Sequence, residues 1–213
     1  MPVYTYTTLD DPSANNFTQA YGINASGQIV GEYIDASNHT HGFLYSNGTY
    51  TTLDGPLATG TIALGINDLG QVVGSYNDAS GTHGFLYNNG TYTTLNDPLA
   101  TTNTTAFGIN DAGQIVGFFN NASGIHGFLL SGTTFTTIDD PSATGGTRAH
   151  GINNAGQIVG EYTDATGSHG FLLSGIGGVF TTLDDPSATR DTRAQGINNA
   201  GQIVGEYTGR TIE

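Results

Sequence analysis

The sequence predicts an all-β fold, a five-bladed β-propeller of four-stranded antiparallel blades closed by pairing of the N- and C-terminal strands. Three observations predict it. A block opening Gly-Ile-Asn recurs at Gly22, Gly65, Gly108, Gly151 and Gly196, at spacings of 43, 43, 43 and 45 residues, a period that belongs to repeat architectures. Each copy divides into four short apolar runs parted by turn residues. The chain enters the pattern in a fourth run and leaves it after a second. Its two ends would together supply a fifth blade and remove the exposed edges.

The elements follow in order within each copy. The first strand ends in Ala-x-Gly-Ile-Asn, as at Ala149 to Asn153. A turn such as Asn154-Ala155-Gly156 follows, because Asn and Gly tolerate the positive φ of tight hairpins. The second strand is predicted over Gln157 to Tyr162. A loop over Asp164 to Ser168 leads to the third strand, His169 to Leu173. A Gly-containing turn leads to the fourth, Phe180 to Leu183. The longer return, Asp-Asp-Pro-Ser-Ala-Thr and several more residues, suits a crossing from the outer edge of one blade to the inner edge of the next.

Adjacent apolar pairs such as Ile29-Val30 and Phe43-Leu44 put apolar side chains on both faces of a strand, as stacked blades require. Ala and Gly in the first strand suit a crowded inner rim. One domain over 1–213 is expected, with blades at approximately 17–54, 60–97, 103–140 and 146–185, and a split blade of 191–213 plus 2–11. In that blade Tyr4 to Leu9 would be the outer strand and Ala194 to Tyr207 the inner two. The fifth His-Gly-Phe block is missing, so Arg210 to Glu213 would serve as a short third strand after a turn at Thr208-Gly209. The alternative architecture is an open array whose ends pair with another chain. A solenoid fits less well, because its parallel strands need no hairpins.

Composition narrows the partners. The 213 residues include 33 Gly, no Lys, four Arg and 18 acids, for a formal charge of −14. Such a surface repels phosphate backbones and anionic membranes, so neither nucleic acid nor membrane insertion is expected. Cations and neutral polymers such as glycans suit it. Without Cys there is no disulfide framework and no thiolate metal site. No apolar run approaches 18 residues, no secretion signal is visible, and the chain reads as a mature or excised piece.

The blocks Gly108 to Gly117 (Gly-Ile-Asn-Asp-Ala-Gly-Gln-Ile-Val-Gly), His126 to Leu129 (His-Gly-Phe-Leu) and Phe135 to Pro141 (Phe-Thr-Thr-Ile-Asp-Asp-Pro) resemble the HAF-type predicted extracellular repeats of bacteria. The resemblance covers essentially the whole chain, although the eponymous His-Ala-Phe reads His-Gly-Phe in all four copies. It implies an extracellular or cell-surface location. It carries no functional residues with it.

In an up-down-up-down blade the loop after the second strand and the crossover share one face. Asp35, Asp78 and Asp164 fall in those loops, and His41, His83, His126 and His169 open the third strands. The crossover acids include Asp11, Asp97, Asp140 and Asp185. One reading makes these repeated cation or ligand sites, with Asp35, Asp78, Asp164, Asp11, Asp97, Asp140 and Asp185 suited to Ca²⁺ and His beside Asp suited to a transition metal. The other makes each His a loop cap and each Asp-Asp-Pro an ordinary turn. Turns such as Asn67 to Gly70 lack the alternating acids and final Glu of a calcium loop.

Tyr33, Tyr76, Tyr162 and Tyr207 recur beside the acidic loops and would either stack sugars or pack between blades. Positions that vary between copies, among them Tyr21, Leu64, Phe107, His150 and Gln195, would line the channel or a cleft, or simply be tolerated. Arg148 and Arg193 are the candidates for an anion contact.

Catalysis has little support. There is no Cys, Lys or Gly-x-Ser-x-Gly elbow, and near-identical copies give identical environments where an active site needs different roles. The expected function is a non-catalytic extracellular scaffold that binds a glycan or other surface polymer through repeated shallow sites. The alternatives are a structural or display module with a Ca²⁺-stabilised acidic face, and a polysaccharide hydrolase with paired carboxylates.

Overall fold

A computed structural model of the chain describes residues 5–209. The described residues form 18 strands and no helix. The first unit holds β1 (Thr18–Ile23), β2 (Ile29–Ile34), β3 (Thr40–Ser46) and β4 (Thr49–Leu53). The second holds β5 (Gly60–Ile66), β6 (Val72–Asp78), β7 (Gly81–Asn88) and β8 (Thr91–Leu95). The third holds β9 (Asn103–Ile109), β10 (Ile115–Asn121), β11 (Gly124–Ser131) and β12 (Thr134–Ile138). The fourth holds β13 (Gly146–Ile152), β14 (Ile158–Thr163), β15 (Ser168–Leu173) and β16 (Phe180–Leu183), and the fifth holds β17 (Thr192–Ile197) and β18 (Ile203–Tyr207).

Every unit is an antiparallel meander with neighbours paired in chain order. A single parallel bridge, Thr82 with Asn103, joins the second and third into one eight-stranded sheet. The expected strands for the fourth unit fall within a residue or so of those found, because turn chemistry sets the ends. Asn24 shows why the repeat begins as it does. Its backbone carbonyl accepts from the Gly27 N–H at 3.0 Å, and its Oδ1 accepts from the Ser26 and Gln28 N–H groups. Gly27 supplies the positive φ of 73°.

A second glycine is set by close approach. A Cβ on Gly31 would run into the Gln19 backbone oxygen and the Phe43 ring. Gly31 pairs with Phe43 in register, and the same pairing joins Gly74 to Phe85, Gly117 to Phe128 and Gly160 to Phe171. All four Phe are 0% exposed. Phe85, Phe128 and Phe171 anchor cores that lie between successive units. Val30 and Leu53 of the first unit meet Ala63, Val72, Tyr76 and Phe85 of the second, and the next two interfaces repeat this set. A unit is therefore apolar on both faces, as the paired apolar residues predict.

The first strands sit innermost. Gly65 lies against the Phe107 backbone, and Gly108 against that of His150. One cavity of about 280 Å³ is bordered by Ile23, Ile66, Ile109, Ile152 and Ile197, one from each unit. Five units thus surround a common axis. Among the described residues their strands form four separate sheets, none closed on itself.

The ends differ from the expected split blade. Residues 5–9 form no strand, and Tyr6 is 93% exposed. The physical reason lies in strand pairing: β4, β8, β12 and β16 each pair only with a third strand, and among the described residues the fifth unit offers none to residues 5–9. The third strand expected at 210–213 and the first two residues of the terminal segment, with Tyr4, lie outside the described residues. Ala20 is exposed where Ala63, Ala106, Ala149 and Ala194 are buried, and among the described residues no core lies between the fifth unit and the first. Leu9 to Asp11 still follow the crossover pattern, with the Asp11 N–H donating to Thr18 Oγ1 as the Asp97 N–H does to Thr104 Oγ1.

Candidate functional site

The loops between second and third strands and the crossovers gather on one face, and the four His stand among them. His41 Nδ1 lies 3.0 Å from each oxygen of Asp54, with Nε2 3.4 Å from Asp35. His169 Nδ1 lies 2.9 Å from Asp184 and its Nε2 3.2 Å from Asp164 and 2.9 Å from Thr166 Oγ1. In the second unit Asn96 replaces the crossover acid for His83, and in the third Asn121 replaces the loop acid for His126. Each imidazole lies over the ring of the residue paired with it: Tyr33, Tyr76, Phe119 or Tyr162, at 5.1 to 5.3 Å.

The electrostatics follow from these contacts. Burial pushes the His41 and His169 imidazoles down, but the hydrogen bond and charge of Asp54 or Asp184, helped by Asp35 or Asp164, outweigh it and hold both above the ordinary value. The Ser80 hydroxyl and N–H hold the Asp78 carboxyl down at about 2, and Thr166 does the same for Asp164. His83 and His169 add to the effect.

The expected metal ligands have other work here. Asp35, Asp78 and Asp164 accept from the N–H groups of their own loops. Asp11, Asp97, Asp140 and Asp185 accept from the N–H two residues on, at 2.7 to 2.8 Å, and tie the crossover turn. Among the described residues no three His, Asp or Glu side chains converge on one point. Tyr33, Tyr76 and Tyr162 are no more than 5% exposed, and their hydroxyls bond Thr52, Thr94 and Thr182. Their rings pack between a His and the core and offer no open face to a sugar. Tyr207 is half-exposed, since nothing described stacks on it.

Between these fixtures lie repeated clefts. One of about 200 Å³ separates the second and third units, bordered by Ser80, His83, Asn96, Asp97, Thr101 and Thr104. One of about 340 Å³ separates the third and fourth, bordered by Ser123, His126, Asp139, Asp140, Thr144 and Thr147. Each of these six stands 43 residues after its counterpart. A third, of about 270 Å³, separates the fourth and fifth units, where Asp164, Thr166 and Ser168 face Arg190, Asp191 and Arg193.

The variable positions interlock nearer the axis. Tyr21 donates to Glu32 at 2.6 Å. Arg148 lies 5.3 Å over the Phe118 ring, Phe107 stacks on Phe118, and His150 lies 4.8 Å from Phe107. Glu161 takes Arg193 at 2.6 Å and Arg148 at 3.4 Å, with His150 at 3.9 Å. Burial raises its carboxyl, but His150, Arg193 and Arg148 together hold it below the usual value. Both candidate anion contacts, Arg148 and Arg193, are thus engaged by carboxylates of the protein, Arg193 by Glu206 as well.

Sequence reasoning missed a linkage at the opposite mouth. The side chains of Asn24, Asn67, Asn110 and Asn153 each donate to the backbone carbonyl of the next Asn in the series, at 3.0 to 3.2 Å. A parallel series runs from the N–H groups of Ala25, Asp68, Asp111 and Asn154 to the side chains of Asp68, Asp111, Asn154 and Asn199. The signal was present in the repeated Asn and Gln of each turn, which read as turn chemistry alone.

No family model matches the chain, and no curated protein matches it. Solved structures do. An Aleuria aurantia lectin in complex with α-methyl-L-fucoside is similar at a TM-score of 0.54 and 13% identity, over 90% of this chain and 70% of that one. A Pyrococcus horikoshii acylaminoacyl peptidase is similar at 0.54 and 14%, over 80% of this chain and 27% of that one. The β-propeller domain of the Trilobed protease from Pyrococcus furiosus, described as having an open velcro topology, is similar at 0.54 and 12%, over 80% and 52%. The chain spans well under two thirds of the two archaeal proteins. At these identities the likeness shows the fold alone, an all-β fold with β-propeller neighbours.

Proposed function

We propose that this protein is a non-catalytic scaffold that binds glycans through the shallow clefts between successive units. The carrying observation is the equivalence of the clefts: the same Ser, His, Asx, Asp and Thr positions recur 43 residues apart around two separate openings. At about 200 to 340 Å³ they sit at or below the small end of the ~300–1,000 Å³ range of ligand pockets, the size of one sugar ring. Their linings offer hydroxyl, amide and carboxylate groups, which suit sugar hydroxyls. Repetition gives weak sites avidity toward a repeating polymer. The fucose complexes of lectin neighbours support the reading by fold only.

The same equivalence speaks against catalysis. The carboxylates of this face tie turns and hold His, and the two equivalent clefts do not differ from each other in the way an acid and a base in separate roles require.

The test is a glycan array probed with the full chain in monomeric and multivalent form. Binding that strengthens at least tenfold on multivalent presentation, and falls stepwise when Thr101→Trp and Thr144→Trp fill the clefts, supports the reading. Silence across the array, or binding indifferent to both substitutions, sinks it.

A further inference from the structure

Among the described residues one core is unfinished. In the first four units a third-strand Phe lies over the second-strand Gly and closes the interface with the unit before, or, for Phe43, the corresponding face of the first unit. In the fifth unit Gly205 holds that place with no ring described over it. A cleft of about 410 Å³ opens there, bordered by Leu183, Pro186, Ala194, Ile203, Gly205 and Tyr207. Leu183, Ala194 and Ile203 are the counterparts of Leu53, Ala63 and Val72, which surround Phe85 in the second unit. Val204 is 67% exposed where Val30, Val73, Val116 and Val159 are 0%. Among the described residues β18 pairs only with β17, so its outer edge is unpaired.

We propose that this slot docks one extended strand of the repeat's own third-strand type, carrying Gly-Phe-Leu, supplied from outside residues 1–213. The chemistry of the occupant is read from the four filled copies. Running antiparallel to β18, it would set Phe over Gly205, Leu opposite Val204, Gly opposite Glu206 and His over Tyr207, as β14 and β15 do with Gly160, Val159, Glu161 and Tyr162. The slot continues the interface already formed between the fourth and fifth units, where Leu183 and Ala194 are in place. The far side is also ready. Tyr6-Thr7-Thr8-Leu9 has the composition of β4 and β8 yet pairs with nothing described, and Asp10 stands where Asp54 and Asp184 receive the His in filled copies. A single inserted strand would meet two edges, the economical form of β-augmentation. It comes from outside residues 1–213 because all four His-Gly-Phe-Leu blocks within them, in β3, β7, β11 and β15, are already paired inside their units.

The test uses the full chain and a synthetic peptide with the sequence of residues 165–174, Ala-Thr-Gly-Ser-His-Gly-Phe-Leu-Leu-Ser. Expected are saturable binding by fluorescence anisotropy, at least tenfold slower hydrogen exchange of β18 amides on binding, and at least tenfold weaker binding of the peptide bearing Phe171→Ala. Equal binding of the two peptides, or none, overturns the proposal. So does strong protection of β18 without peptide, which would mean that the chain's own termini fill the slot. Self-association that the peptide fails to compete with would assign the edge to a second copy packed in another way, and overturns it equally.

Discussion

The Asn67 side-chain amide donates to the backbone carbonyl of Asn110, 3.0 Å away and 43 residues along the chain. The same Asn67 closes its own turn by accepting from the Leu69 and Gln71 N–H groups and donating to Gln71 Oε1. One side chain therefore couples a local hairpin to the neighbouring unit, and this coupling repeats around the axis.

Asn110→Ala removes four such bonds in a buried setting. At about 0.5–1.5 kcal/mol net each, a loss of about 2–6 kcal/mol is expected in urea denaturation. Asn198→Ala is the internal control. Asn198 is exposed and makes the turn bonds without a described link to a further unit, so its substitution should cost clearly less. Equal losses would show that the inter-unit bond contributes nothing.

Phe128→Ala empties a fully buried site between the second and third units and is expected to destabilise by about 3–5 kcal/mol. Gly117→Ala should destabilise comparably by the opposite route, since its methyl meets the Phe128 ring and the Thr105 backbone oxygen. If Gly117→Ala melts like the parent chain, the glycine is not required by close approach.

Glu161→Gln leaves Arg193 and Arg148 without their shared carboxylate. Breaking a buried pair costs about 3–5 kcal/mol, and the partial exposure of both Arg reduces the expectation to about 1–3 kcal/mol. The check is thermal denaturation at low and high salt, with the smaller difference at high salt.

The titration of the acidic face has a definite sign. His41 and His169 have raised values in the folded chain, so their contribution is complete below about pH 6.5 and is lost as pH rises through the folded value. Asp78 and Asp164 are lowered to about 2, so theirs is complete above about pH 4 and is lost as pH falls toward 2. Melting temperature should therefore decline on both sides of mildly acidic pH. In His169→Gln the decline through neutral pH should be shallower, and NMR titration of the imidazoles checks the direction independently.

Much of this was legible in the residues. The Gly-Ile-Asn period, the Asn-x-x-Gly turns and the paired apolar residues settle the strands, their antiparallel order and the burial of both faces, because each depends on contacts a few residues apart. The resemblance of the blocks to one another also placed His41, His83, His126 and His169 beside the acidic loops. Other readings needed the assembled units. Tyr33, Tyr76 and Tyr162 alternate as a sugar platform would, yet a His lies over each, and only cross-strand register brings the two together. Arg148 and Arg193 looked free because Glu161 joins them from a strand of its own.

By itself the sequence determined a five-fold recurrence of one β unit, an acidic face and the absence of thiol and lysine chemistry, since period, charge and composition are properties of the chain alone. Only the tertiary structure decided which carboxylates tie turns and where the clefts open between units. Those depend on the packing of one unit against the next, and the neighbour a residue will meet 43 positions away leaves no mark on its local pattern.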